Sequence, residues 1–238
     1  MPVNPHHLYQ PSLCPNRHGQ RGTPHLYAGL VAFIGSFRLR AIALIAMANN
    51  NRDWEQEHAS GKLDFLDRPH EQLRHAVIAC MISQHAPGEV IDLGCGRGHQ
   101  LAWLRPEDVT HYIGVDVSAS ALAALVPSTI PTETVLSSIE DYHAPARDIG
   151  AIVCAEALYF LDDPIGPLVR IASEAKSVKA IIVSLVAPNQ RKPNWRKGVD
   201  PVWSAFERSG LNVIDKVRVE STHAGIGWDV AIYRAPGG

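Results

Sequence analysis

From residue 89 onward the chain alternates short apolar runs with stretches that carry helical signals. Glu89–Leu93, Tyr112–Val117, Thr134–Ser137, Ile149–Ala155 and Val178–Val186 are strand-length runs rich in β-branched and other apolar residues. Gly98–Leu104, Ser118–Val126 and Pro164–Ala175 lie between or after them and read as helices, with Ser118 as an N-cap. Ahead of this alternation, Asp53–Ser60 predicts a short helix ended by Gly61. Pro69–Gln84 predicts a longer one, because Leu73, Val77, Cys80 and Met81 recur at three- and four-residue spacing. Pro69 suits its first turn and Pro87-Gly88 stop the chain behind it. The end of the chain differs. A helix over Asp200–Ser209 stops at Gly210, and strands Leu211–Glu220 and Trp228–Arg234 flank the loop Ser221–Gly227. A hairpin there makes the last strand antiparallel. The pattern predicts an α/β three-layer sandwich: a seven-stranded, mostly parallel sheet with helices on both faces and the last strand antiparallel.

Residues 1–50 do not share this pattern. They are rich in Pro, His and Gly, then apolar over Ala28–Phe37 and Ala41–Ala48, split by Arg38 and Arg40. Neither apolar half reaches the roughly 20 residues of a membrane helix. We read 1–50 as a leader outside the folded domain, with Met47 as the initiator favoured over a targeting segment cleaved after Ala46-Met47-Ala48. The domain proper is expected over 51–238.

Charge sharpens this division. Residues 1–52 hold five arginines and no Asp or Glu, so the other 186 residues carry a formal charge of −7. An acidic domain is poorly suited to nucleic acid, which needs a basic surface. Four widely spaced cysteines and no Cys-x-x-Cys pair argue against a zinc ribbon and for a reducing, cytoplasmic setting.

The chemistry centres on Val90-Ile-Asp-Leu-Gly-Cys-Gly-Arg-Gly98. A strand end, a glycine turn and a following helix start let the backbone approach a ligand closely. The spacing is G-x-G-x-G, whereas a nicotinamide-binding turn has G-x-G-x-x-G. His99 stands in the sixth position, where it is expected to crowd the helix–strand contact. Asp92 precedes the first glycine by two positions. A carboxylate there repels a pyrophosphate and attracts an ammonium or sulfonium. Asp116, at the end of the next strand, suits both hydroxyls of a ribose. Together the two acids describe S-adenosylmethionine.

With Gly-Val-Asp-Val-Ser at 114–118 and Cys-Ala-Glu-Ala-Leu-Tyr-Phe-Leu at 154–161, the chain resembles the class I S-adenosylmethionine-dependent methyltransferases over Trp54–Tyr233. Its leading segment, Trp54…Gly61-Lys-Leu-Asp-Phe-Leu66…Leu73-Arg-His75, is similar to bacterial small-molecule and saccharide methyltransferases, among them the nodulation N-methyltransferases. The resemblance implies that Asp92, Gly94, Cys95 and Gly96 hold the methionine end. It places Asp116 and Val117 at the ribose and Ser138 and Ile139 at the adenine. Ser138 departs from the Asp found in many relatives and accepts more weakly. Arg74 is expected either at the cofactor carboxylate or on the helix surface.

The expected function is methyl transfer to a hydroxyl or amine of a small molecule, with a saccharide among the candidates. Two alternatives are a silent S-adenosylmethionine-binding protein and a nicotinamide-dependent oxidoreductase. Glu156 follows the fourth strand at the ligand edge and is the candidate catalytic acid, either as base or as a group that orients the acceptor. Its bland alternative is a helix-start carboxylate. Tyr159, three residues on, is a second candidate for the same pocket. His143 and His223, on predicted loops, are further candidate bases, with a solvated loop histidine the favoured alternative for each. The segment Pro188–Gly198, with Arg191, Lys192, Trp195, Arg196 and Lys197, is a candidate cover over an anionic or sugar substrate. Trp54 and Trp228 are expected to pack in the core. There is no Asn/Asp-Pro-Pro-Tyr motif and no Pro-Cys pair, as used on bases in DNA. No metal, nucleic-acid or membrane partner is expected.

Overall fold

A computed structural model describes residues 53–189 and 193–236. The reading of residues 1–50, including Met47, lies outside the described residues, as do Arg191 and Lys192.

The strands are β1 (Gly88–Leu93), β2 (Val109–Asp116), β3 (Thr132–Leu136), β4 (Asp148–Ala155), β5 (Ser177–Val186), β6 (Val213–Ser221) and β7 (Ile226–Arg234). The helices are α1 (Trp54–Ala59), α2 (Leu73–His85), α3 (Ala119–Ala123), α4 (Gly166–Glu174) and α5 (Arg196–Arg208). The seven strands form one sheet in the order β3-β2-β1-β4-β5-β7-β6. β7 alone is reversed, pairing antiparallel with β5 and with β6. The strand order turns back at β1, between β2 and β4. Crossovers therefore leave on opposite sides, and a crevice opens at the carboxyl ends of these strands.

Two apolar layers hold the sheet. On one face, Ile78, Met81 and Ile82 of α2 pack with Val90, Tyr112, Ala151 and Ile182. On the other, Leu168 and Ile171 of α4 and Val199, Val202 and Phe206 of α5 pack with Ile91, Ile152, Ile181 and Tyr233. β1, β4 and β5 read as continuous apolar runs because both of their faces are covered.

Several boundaries differ from the expectation. The helix over Gly98–Leu104 is a single 3-10 turn at Leu101–Trp103. Glycines at positive φ precede it and Pro106 follows, so too few residues remain to propagate a helix. α2 begins at Leu73, not Pro69, because Pro69–Gln72 form a separate turn. α3 stops at Ala123: the Val126 amide donates to the Arg97 carbonyl instead, tying the chain to the glycine turn. α5 starts at Arg196, ahead of Asp200, and carries Pro201 inside it. Buried Trp195 and Val199 set that start against the preference of proline for a first turn. The hairpin loop is shorter than Ser221–Gly227, spanning only Thr222–Gly225.

Phe206 is 2% exposed and stacks on Tyr233 at 4.7 Å between ring centroids. Phe206→Ala should cost about 3–5 kcal/mol and lower the melting temperature by roughly 10 °C, as read by thermal denaturation.

Candidate functional site

The glycine turn leaves β1 with its backbone committed to two neighbours. The Gly94 and Cys95 amides both donate to the Val115 carbonyl, at 2.8 and 3.0 Å. The Gly96 amide donates to Asp116 Oδ2 at 2.7 Å, and Asp116 Oδ1 accepts the Ser118 amide at 2.9 Å. One carboxylate thus joins the turn after β1 to the start of α3. Gly94 has φ +72°, and a Cβ there would stand 2.9 Å from the Ala157 Cβ. Gly98 has φ +75°, and a Cβ there would meet Leu125 Cδ1 at 2.8 Å. Gly98 therefore provides the close packing that a sixth-position glycine gives in dinucleotide turns. The crowding expected at His99 does not arise, because its Nε2 reaches outward to Asp67 at 2.7 Å.

Asp92 is buried at the end of β1 and accepts the Tyr112 hydroxyl at 2.7 Å. Burial pushes its carboxyl up to about 7, against the Tyr112 hydrogen bond, with the Asp116 charge adding to the rise. A cation at this position would favour the ionised form.

The residues expected at the ribose and adenine lie in different surroundings. Val117 is half exposed beside Asp116, and Ile139 is buried with its Cδ1 3.9 Å from the Cβ position of Gly94. Ser138 is different. Its hydroxyl donates to Asp141 Oδ2 at 2.8 Å and accepts the Asp141 amide at 3.0 Å. It caps a local turn, so its hydroxyl is already engaged.

A second cluster lies past β4 and under α2. Glu156 has φ +62°, and its amide donates to the Ser184 carbonyl at 2.8 Å. Left-handed backbone at a residue bearing a Cβ is strained, and such strain gathers at functional positions. Its Oε2 accepts the Tyr159 hydroxyl at 3.0 Å, while Oε1 is buried with no hydrogen-bond partner among the described residues. Burial raises its carboxyl to about 7. The Arg74 guanidinium, the Tyr159 hydroxyl and the Val186 amide pull it back, and Glu71 adds to the rise. Glu156 is therefore no helix-start carboxylate, for only a single 3-10 turn follows it at Leu158–Phe160.

Arg74 is 3% exposed, which removes the helix-surface alternative. Its Nη1 donates to both the backbone and the side chain of Glu71, and its guanidinium lies 5.1 Å from the Trp228 ring centroid. Its Nε has no partner among the described residues. Sequence reasoning missed Glu71. The Glu-x-x-Arg spacing of 71 and 74 was the available signal, since an acid and a base three apart across a turn are close enough to pair.

The remaining candidates leave the site. His143 is exposed and pairs with Glu174, and His223 is exposed. Trp195, expected on a sugar-facing loop, is 4% exposed in the core beneath α5. Trp228 is buried as expected, and Trp54 is half-buried with its ring edge against Phe160 at 4.8 Å. A groove of about 530 Å³ runs along the β3 edge, lined by Glu133, Val135, Tyr142 and Arg147 among others. It contains none of the residues expected to hold cofactor. Among the described residues no group of His, Cys, Asp and Glu could hold a metal, and no helix is long and apolar enough to cross a membrane.

The chain matches the methyltransferase domain family over residues 65–229 and belongs to that family. A search of curated protein sequences gives no match. The fold is shared with solved methyltransferases at low identity. One, from Haloferax volcanii in complex with the activator Trm112, is 15% identical. The match covers 79% of this chain and all of that one, with a TM-score of 0.58. The plantazolicin methyltransferase BpumL, solved with S-adenosylhomocysteine, is 11% identical over 87% of this chain and all of its own (TM-score 0.53). The N-methyltransferase NodS from Bradyrhizobium japonicum WM9, with the same ligand, is 17% identical over 82% of this chain and 97% of its own (TM-score 0.52).

This chain is an S-adenosylmethionine-dependent methyltransferase of the Rossmann-like class. Its residues fit that cofactor. Two carboxylates stand at adjacent strand ends beside an open backbone turn, and the buried Arg74 Nε and Glu156 Oε1 lack partners among the described residues. The oxidoreductase alternative falls with this assignment.

Asp116→Ala would strip the Gly96 and Ser118 amides of their acceptor. We expect a stability loss of about 1–3 kcal/mol, and faster hydrogen exchange at those two amides than in the parent protein.

Proposed function

We propose that the enzyme methylates an amine or hydroxyl of a small molecule, with Glu156 receiving the acceptor. The observation that carries this reading is Glu156 itself: a strained, buried carboxyl poised near neutrality, with one oxygen unpartnered among the described residues. In this reading Asp92, Gly94, Cys95 and Gly96 hold the methionine end of the cofactor. Asp116 and Val117 hold the ribose, and Ile139, with Ser138 at its side, borders the adenine. Arg74 presents its Nε to the cofactor carboxylate while Glu71 fixes its Nη1.

S-adenosylmethionine supplies an electrophilic methyl on a sulfonium. The protein has to hold the acceptor atom roughly 3–3.5 Å from that methyl and in line with the C–S bond. Glu156 Oε1 accepts the acceptor's N–H or O–H and takes the proton as the new bond forms. Tyr159 holds Oε2, which fixes the carboxyl plane. Arg74 beside it keeps the ionised form within reach near neutral pH.

The N-methyltransferase activity in the name of NodS supports an amine, and the resemblance of the segment Trp54–His75 to saccharide methyltransferases keeps a sugar amine among the candidates. The acidic balance of residues 53–238 disfavours nucleic acid. A catalytic domain over 51–238 in a cytoplasmic setting completes the reading, supported by the free thiols of Cys80, Cys95 and Cys154.

With a panel of small amines and hydroxyl compounds, kcat/KM should rise with pH through about 7 and then level, because the base of the free enzyme must be ionised. Glu156→Gln should keep S-adenosylhomocysteine affinity within about threefold, lower kcat by about 10²–10⁴-fold and flatten that rise. Full turnover by Glu156→Gln would remove the base and orienting role. Glu156→Gly should relieve the left-handed backbone by about 1–2 kcal/mol, raising the melting temperature of an inactive protein.

A further inference from the structure

The segment 53–68 lies across the glycine turn and is fastened on both sides of it. On one side Glu55 of α1 accepts the Ser118 hydroxyl at 2.7 Å and the Ser120 amide at 3.1 Å, at the start of α3. On the other, Asp67 accepts from Arg97 Nη2 at 2.9 Å and pairs with His99 Nε2 at 2.7 Å. Asp64 adds a contact to Arg97 at 3.2 Å.

His58, in the last turn of α1, stands between these two fastenings. Its Cε1 lies 3.6 Å from the point where a Cβ on Gly96 would be. The Gly96 amide is the one bound by Asp116. The charged and titratable groups facing the imidazole are Asp116, Arg97, Glu55 and His99. Burial depresses its basicity, against the Asp116 and Glu55 charges, which favours the neutral ring with one nitrogen a donor and the other an acceptor. Its Nδ1 is buried and has no hydrogen-bond partner among the described residues. An unsatisfied buried nitrogen of this kind costs free energy that a ligand hydroxyl could recover. Sequence reading gave His58 no role, because the feature that singles it out is contact between distant segments.

We propose that His58 is a further cofactor-binding residue, its Nδ1 hydrogen-bonding a ribose hydroxyl of S-adenosylmethionine opposite Asp116. The proposal rests on the assignment of Asp116 to the ribose, made above. In it the ribose is held from below by a strand-end carboxylate and from above by an imidazole carried on α1. Glu55 and Asp67 set the height of that imidazole over the turn.

The test measures S-adenosylhomocysteine binding by isothermal titration calorimetry for the parent full-length chain, His58→Ala, His58→Gln and Asp116→Ala. His58→Ala should weaken binding about tenfold, the equivalent of one hydrogen bond. His58→Gln, which keeps a polar group, should recover most of that loss, and Asp116→Ala should lose more than either. In the parent protein, saturating S-adenosylhomocysteine should slow carbethoxylation of His58 by diethyl pyrocarbonate, followed by peptide mass spectrometry. His58→Ala binding within twofold of the parent, with Asp116→Ala strongly impaired, would overturn the His58 contact and leave the cofactor edge standing. If Asp116→Ala also bound normally, the assignment of that edge would fail and take the His58 contact with it. Should His58→Ala not fold, an unchanged carbethoxylation rate in the saturated parent protein would overturn the proposal by itself.

Discussion

The cofactor edge of this enzyme depends on the Asp116 carboxylate, which accepts one backbone amide from each of two separate segments. Gly96 belongs to the turn after β1 and Ser118 to the start of α3. Charge-assisted bonds of this kind are the stronger class, and here they fix loops that would otherwise be free to move. The geometry around them follows from that constraint. The Gly94 and Cys95 amides settle on Val115, Val126 ties back to Arg97, and α3 ends early as a result. The same carboxylate is the one proposed for the ribose, so in that reading the group that shapes the turn also receives the ligand.

The strand ends gather more acid than a buried edge ordinarily carries. Asp92 and Glu156 are both desolvated, and each is pushed to about 7. Burying carboxylates is costly unless they are protonated or paired. Each has one named hydroxyl partner, Tyr112 for Asp92 and Tyr159 for Glu156. Linkage then has a definite sign. Both folded values lie above the ordinary carboxylate values, so the cofactor-free protein binds more protons folded than unfolded between about pH 4 and 7. Its stability falls across that window as pH rises. A cationic ligand opposes the loss by favouring the ionised form, which couples cofactor binding to folding.

Arg74 shows how the two halves of the site communicate. It projects from the first turn of α2, on the face that packs against β5 and β7, and it is shared among Glu71, the Trp228 ring and the field of Glu156. Its Nη1 is spent on Glu71 and its Nε is free of any partner among the described residues. One guanidinium thus balances the charge around the candidate base while leaving a donor for the cofactor end.

The parallel strands, the reversed last strand and the glycine turn were legible because each rests on local chemistry. Apolar runs of strand length mark doubly covered strands, a hairpin forces reversal, and Gly94 and Gly98 occupy backbone that side chains disfavour. Asp92, Asp116 and Glu156 were singled out because strand ends in such a sheet face the ligand crevice. The failures share one cause. The helix expected at Gly98–Leu104, the starts of α2 and α5, the engaged hydroxyl of Ser138 and the buried Trp195 were each decided by partners far along the chain or by a turn that competed locally. Tyr112 on Asp92, Glu55 on Ser118 and Asp67 on Arg97 join residues 20, 63 and 30 positions apart. The sequence by itself determined the order of the elements and the kind of cofactor, since both follow from residue type at local spacing. Only the tertiary structure decided which polar atoms are left unpartnered, because that depends on burial by segments that meet only when the chain is folded.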